Sequence, residues 1–184
     1  VDLLVNNAGI SGPTAPVEAM SPEAWQKTLD IGLTGAFNAA RAVIPIMKAQ
    51  SSGAIVNIAS NAGLMGCPNR SPYVAAKWAL IGLTKTWAME LGSYNVRVNA
   101  LCPASVEGAR IDAVIARDAT ARGVSEDAIR SVYERQSSLR AFTRVEDIAA
   151  MVCYLAGDQG IRISGQAIGI DGHTETLTNW LESP

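Results

Sequence analysis

Apolar and polar positions along the chain alternate between two periods. "DLLV" (residues 2–5) is a short apolar run stopped by Asn-Asn-Ala-Gly, which predicts a buried strand ending in turn chemistry. Residues 22–50 keep apolar side chains at helical spacing behind a candidate N-cap, Ser21, with Pro45 placed to kink the helix near its end. "AIVNIAS" (54–60) predicts a second strand, and a helix follows over about 72–92. "VRVNALCP" (96–103) reads as a third strand. Helical patterning resumes at 109–122, at 126–136 and, after the candidate cap Thr143, at 145–157. "GQAIGIDG" (165–172) reads as the last strand. Apolar strands alternating with helices predict an α/β domain with a parallel sheet covered on both faces.

Composition fits that picture. The 184 residues suffice for one domain with its own core, 48% of them are hydrophobic, and sixteen glycines allow helices to pack closely on a sheet. A net charge of −2 gives no reason to expect nucleic acid or an anionic membrane as partner. No apolar run approaches the roughly 18 residues that span a bilayer. The odd set Cys67, Cys102 and Cys153 has neither metal-ligand spacing nor the even count of a disulfide framework, so a reducing, cytoplasmic setting and no metal are expected. The opening "VDLLVNNAG" has no preceding methionine and reads like the interior of a domain, which suggests a fragment.

The chemistry concentrates in three residues. Ser60 stands at the end of the second strand, Tyr73 opens the next helix, and Lys77 lies one turn further on. Residues at i and i+4 share a helix face. Strand C-terminal ends and the starts of following helices line the crevice where open α/β sheets bind ligands. A free tyrosine titrates near about 10, and a neighbouring cation favours its phenolate. Such a phenol suits general acid/base work on an alcohol or carbonyl oxygen, with the serine hydroxyl holding the same oxygen. The partner this chemistry lacks is a hydride carrier, which no side chain supplies, so a nicotinamide cofactor, NAD or NADP, is implied.

"NNAG" at 6–9, Ser60, "YVAAK" at 73–77, "NVRVNALCPASV" at 95–106 and "ISGQAIGIDG" at 163–172 together resemble the short-chain dehydrogenase/reductase family, in register over essentially the whole chain. The resemblance implies a Rossmann-like, doubly wound parallel sheet lacking the first three strands and their helices. Residues 1–184 would be a partial NAD(P)-binding domain that carries the catalytic half, with a substrate lid over about 107–144. It implies that Tyr73 is the acid/base, that Lys77 tunes it and holds the nicotinamide ribose, and that Ser60 positions the substrate alcohol or ketone. Asn7, Ala8 and Gly9 would lie against the adenosine side of the cofactor, Asn6 would brace neighbouring strands, and the Val106 backbone would meet the carboxamide. It also implies a homotetramer or homodimer built through the C-terminal elements and through the Tyr73 helix, whose apolar face carries Trp78 and Trp87.

Three departures stand against the pattern. Gly32 in "DIGLTGAF" occupies the place of a family asparagine that helps hold a proton-relay water. Ala104 replaces a glycine after Pro103. The Gly-rich pyrophosphate turn is absent from the chain, so "DLLV" is expected to be an open sheet edge and the 184 residues alone are expected to bind cofactor poorly. These departures feed an alternative reading, a non-catalytic remnant or binding module of the same fold.

Other residues carry weaker signals. His173, in "DGHTET", reads as a C-terminal turn or subunit-contact residue rather than a catalytic one. The seven arginines between 107 and 144 are nearly balanced by acids and read as solvated helix faces. Cys67 and Cys102 read as core packing.

Overall fold

The computed structural model describes residues 1–177 and contains a four-stranded, wholly parallel sheet in the order β1 (Leu3–Asn6), β2 (Gly53–Ile58), β3 (Val96–Pro103), β4 (Ala167–Ile170). Each strand is a neighbour in sequence of its neighbour in space, and the helices between them make the crossovers that parallel pairing requires. The sheet and its helices agree with the fold class the sequence predicts. β1 pairs only with β2 among the described residues, and Leu3 and Val5 are partly exposed on it, as expected of an open edge.

The helices are α1 (Pro22–Leu29), α2 (Gly35–Gln50), α3 (Ser71–Leu91), α4 (Ala109–Arg122), α5 (Glu126–Arg135) and α6 (Val145–Ala156). Ser21 caps α1 as predicted, its Oγ accepting from the Ala24 N–H at 3.1 Å. The predicted helix over 22–50 is not uniform. A π turn, Asp30–Thr34, separates α1 from α2, and the Gly35 N–H reaches back five residues to the Asp30 carbonyl. The extra residue in that turn sets Gly32 against α3, where a Cβ on Gly32 would lie 3.6 Å from that of Ala76. Pro45 lies within α2, which continues to Gln50.

Alternation along β2 and β3 sorts side chains to two faces. Ile55, Val98 and Val96 pack with Ala40, Met47, Trp87 and Leu91 on the α2/α3 side. Val56 and Leu101 pack with Leu155 of α6 on the other. Trp87 is thus a core residue, 7% exposed, and not part of an interface face; Trp78, nine residues earlier, is 50% exposed. Arg97 anchors the end of α6: its guanidinium donates to the carbonyls of Leu155 and Ala156 in the last turn of the helix and to that of Gly160 just beyond it.

Thr143 is not the cap of α6. Its backbone pairs with the 105–107 segment and its hydroxyl donates to the Ile170 carbonyl at 2.7 Å. The N-cap is Arg144, whose N–H and guanidinium both donate to the Asp147 carboxylate. Between 107 and 144, Arg122 pairs with Asp118 and Arg130 with Asp112 at the surface.

Candidate active site

A buried polar chain fixes α3 against the sheet. Asn6 Nδ2 donates to Asn57 Oδ1 at 2.8 Å, Asn57 Nδ2 donates to Thr84 Oγ1 at 2.8 Å, and Thr84 Oγ1 donates to the Leu80 carbonyl at 2.8 Å. The chain links β1 to β2 and β2 to α3, so Asn6 braces neighbouring strands as the family resemblance implies. Every member is at most 8% exposed, and a satisfied buried network of this kind holds one arrangement strongly. Asn57 and Thr84 carried no signal in the sequence beyond being polar residues inside apolar runs.

Two glycines allow close approach around the lysine. Gly63, in the short 3-10 turn Asn61–Gly63 after β2, lies so near α3 that a Cβ there would stand 2.9 Å from the Lys77 carbonyl oxygen. Gly9, beyond β1, lies on the other side, and a Cβ there would be 3.6 Å from Lys77 Nζ. The ammonium therefore sits where the ends of β1 and β2 meet the first turns of α3.

Lys77 is 6% exposed and donates to the Ile58 carbonyl at 2.7 Å. Burial pulls its ammonium from the ordinary 10.5 down to about 8, the Arg110 charge adding to the effect and Cys102 opposing it. The side chain is thus still charged near neutral pH, and one of its three donors is committed to Ile58. Tyr73 is half-buried, with its ring centroid 5.6 Å from Lys77 Nζ and 4.9 Å from the Arg70 guanidinium carbon. Among the described residues nothing hydrogen-bonds the Tyr73 hydroxyl.

Ser60 lies two residues past the end of β2, not on the strand itself. It is the N-cap of the 3-10 turn: its Oγ accepts from the Ala62 N–H at 3.2 Å and donates to Asn61 Oδ1 at 3.2 Å. Its hydroxyl proton points into its own turn, so holding a substrate oxygen requires that proton to rotate away from Asn61. The Ser60 N–H faces the Cys102 sulfur, whose thiol burial pushes up to about 11. Cys102 is a core residue as expected, with no thiolate character; Cys67 is only half-buried, in the loop before α3.

The remaining candidates flank this centre. Asn7 and Ala8 are exposed beyond β1. Val106 forms a parallel bridge with Thr143, in which the Ser105 carbonyl and the Glu107 N–H do the pairing. That pattern turns the N–H and carbonyl of Val106 itself the other way. His173 is exposed on the C-terminal segment, its Nδ1 2.7 Å from Ser138 Oγ and its φ of 62° that of a turn, which fits the first of the two roles read from the sequence.

The sequence profile of the Enoyl-(Acyl carrier protein) reductase family matches residues 1–173. A D-beta-hydroxybutyrate dehydrogenase of Rhizobium meliloti is 38% identical over 93% of this chain. A 3-oxoacyl-[acyl-carrier-protein] reductase of Thermotoga maritima is 37% identical over 94% of it. The chain spans 66% and 65% of the length of these two relatives. Among solved structures, NAD+-bound xylitol dehydrogenase superposes with a TM-score of 0.86 at 32% identity, over 92% of this chain and 67% of that one.

Proposed function

Since this chain belongs to the short-chain dehydrogenase/reductase family, we propose that it carries the catalytic half of an oxidoreductase that interconverts an alcohol and a ketone, with NAD or NADP as cofactor. The observation that carries the reading is the buried Lys77 ammonium, held by Ile58 and standing 5.6 Å from the Tyr73 ring beside the Ser60 turn.

The residues fit the nicotinamide end of such a cofactor. Lys77 keeps two donors for ribose hydroxyls, and Gly9 leaves open the space beside the ammonium that a side chain would enter. Val106 has a backbone N–H and carbonyl for a carboxamide, and Asn7, Ala8 and Gly9 form the wall toward the adenosine. When bound, the nicotinamide accepts or donates the hydride.

Tyr73 takes the alcohol proton during oxidation and returns it to the carbonyl oxygen during reduction. The Lys77 charge stabilises the negative charge that develops on the phenol oxygen as the proton moves. Ser60, once its hydroxyl turns from Asn61, donates to the same substrate oxygen and fixes its distance from Tyr73. The helical pair α4/α5, inside the 107–144 segment, closes over the substrate as its lid. The exposed apolar residues of α2 and α3, Phe37 and Trp78 among them, form the subunit contact of a homodimer or homotetramer.

Tyr73→Phe in the full-length enzyme tests this reading. Turnover should fall by about a thousandfold or more, while NADH still binds. A variant that retains a tenth of the wild-type rate would refute the phenol's role.

A further inference from the structure

The residue three positions before Tyr73 has a charge that the site described so far does not use. The Arg70 guanidinium lies over the Tyr73 ring, with its carbon 4.9 Å from the centroid. Nη2 donates to the Ser11 carbonyl at 2.9 Å, which ties the loop after β1 to the loop before α3. A second tie, from the Ala15 N–H to the Asn69 carbonyl at 3.0 Å, holds the same two loops together. Nε is buried and has no hydrogen-bond partner.

Among the described residues no carboxylate forms an ion pair with this cation. The ion pairs among the described residues join Arg122 to Asp118, Arg130 to Asp112 and Arg144 to Asp147, all distant in sequence from Arg70. A half-buried guanidinium loses much of its hydration, and an aromatic face with one carbonyl replaces only part of it. Its fixed, planar fork is shaped for bidentate pairing with an oxyanion. The surroundings add to the positive potential, since Lys77 lies near the same ring and the Arg110 charge reaches Lys77. The crevice thus presents an excess of positive charge beside the phenol that handles the proton.

We propose that Arg70 binds a carboxylate on the substrate, so that the preferred substrates are small hydroxy acids and the matching oxo acids and not neutral alcohols. This rests on the reading of Tyr73 as the acid/base. Because the guanidinium stacks on the Tyr73 ring, the carboxylate and the carbon that is oxidised are separated by only a few bonds.

The test uses the full-length enzyme with 2-hydroxybutyrate, 3-hydroxybutyrate and 4-hydroxypentanoate, each compared with its methyl ester, which keeps the alcohol and removes the charge. The readouts are kcat/KM and, without turnover, equilibrium binding by calorimetry. Wild type should prefer at least one acid over its ester, and Arg70→Met should lower that acid-to-ester ratio by about 10- to 100-fold, chiefly through KM. Arg70→Lys, which keeps the charge and loses the fork, should retain part of it. Tyr73→Phe should abolish turnover and leave acid binding in place; a Tyr73→Phe enzyme that turns over normally sinks the phenol reading, while the binding arm still judges Arg70. An unchanged ratio in Arg70→Met, preference for every ester, or failure of all three acids to bind would overturn the proposal. So would a loss of NADH affinity in Arg70→Met as large as the loss of acid affinity, because the anion would then be a cofactor phosphate.

Discussion

The Lys77 ammonium is hydrogen-bonded at 2.7 Å to the carbonyl of Ile58, the last residue of β2. A helix side chain thereby terminates on strand backbone, and the Tyr73–Lys77 turn of α3 and the end of the sheet are held as one unit. The bond also places a charge in the interior, and that charge has a thermodynamic signature.

Below about pH 8 Lys77 is protonated in both folded and unfolded states, and the folded state bears the full cost of burying it. Between about 8 and 10.5 the folded protein releases this proton first, so the unfolded chain binds more protons and stability rises with pH. The gain totals about 3 kcal/mol. Cys102 works in the opposite direction between 9.0 and about 11, because its thiol ionises first in the unfolded chain. Denaturant unfolding of wild type and Lys77→Met from pH 7 to 10 isolates the lysine: the wild type should gain on the variant as pH rises. A constant difference would count against a depressed Lys77.

Gly32 faces Ala76, the neighbour of Lys77, with ordinary contact distance for a Cβ. Gly32→Asn should therefore fold, and an amide there should improve proton relay at the lysine. We expect a several-fold higher kcat in the full-length enzyme. An equal or lower rate would count against a proton relay slowed by Gly32.

The Asn6–Asn57 bond is one link of a fully paired buried chain. Replacing Asn57 with Leu leaves the Asn6 amide without its acceptor and should cost about 2 kcal/mol or more. A double-mutant cycle with Asn6→Leu should recover part of that loss; strict additivity would mean that the two amides are not coupled.

Gly63 has no space for a side chain, since a Cβ would lie 2.9 Å from both the Lys77 carbonyl oxygen and Ile81 Cδ1. Gly63→Ala should cost about 1–3 kcal/mol and should move the Ser60 turn away from α3. Thermal unfolding and kcat should both respond, and an unperturbed kcat would show that the turn tolerates the shift.

The exposed Phe37 and the half-buried Leu83 line one apolar surface between α2 and α3. Phe37→Glu, at the exposed side of that surface, should shift the sedimentation coefficient of the full-length enzyme to that of a smaller species. An unchanged value would place the subunit contact elsewhere.

Much of this was legible in the order of residues. The four strands and the helices between them follow from apolar runs, turn residues and helical periodicity, which are local properties of the chain. The i, i+4 spacing of Tyr73 and Lys77 put them on one face without any tertiary information. Tertiary structure decided the rest, because it depends on residues remote in sequence. Thr143 has the chemistry of a helix cap, yet pairing with 105–107 and Ile170 uses its groups elsewhere, and Arg144 caps the helix. Trp78 and Trp87 look alike in sequence, but their different azimuths on α3 send one to solvent and the other into the core. The π turn at Asp30–Thr34, the rotation of Ser60 toward Asn61 and the seat of Lys77 on Ile58 likewise exist only once the sheet and helices meet. Residue types set which chemistry the chain can perform; close packing chose which of their donors and acceptors are committed and which stay open to a ligand.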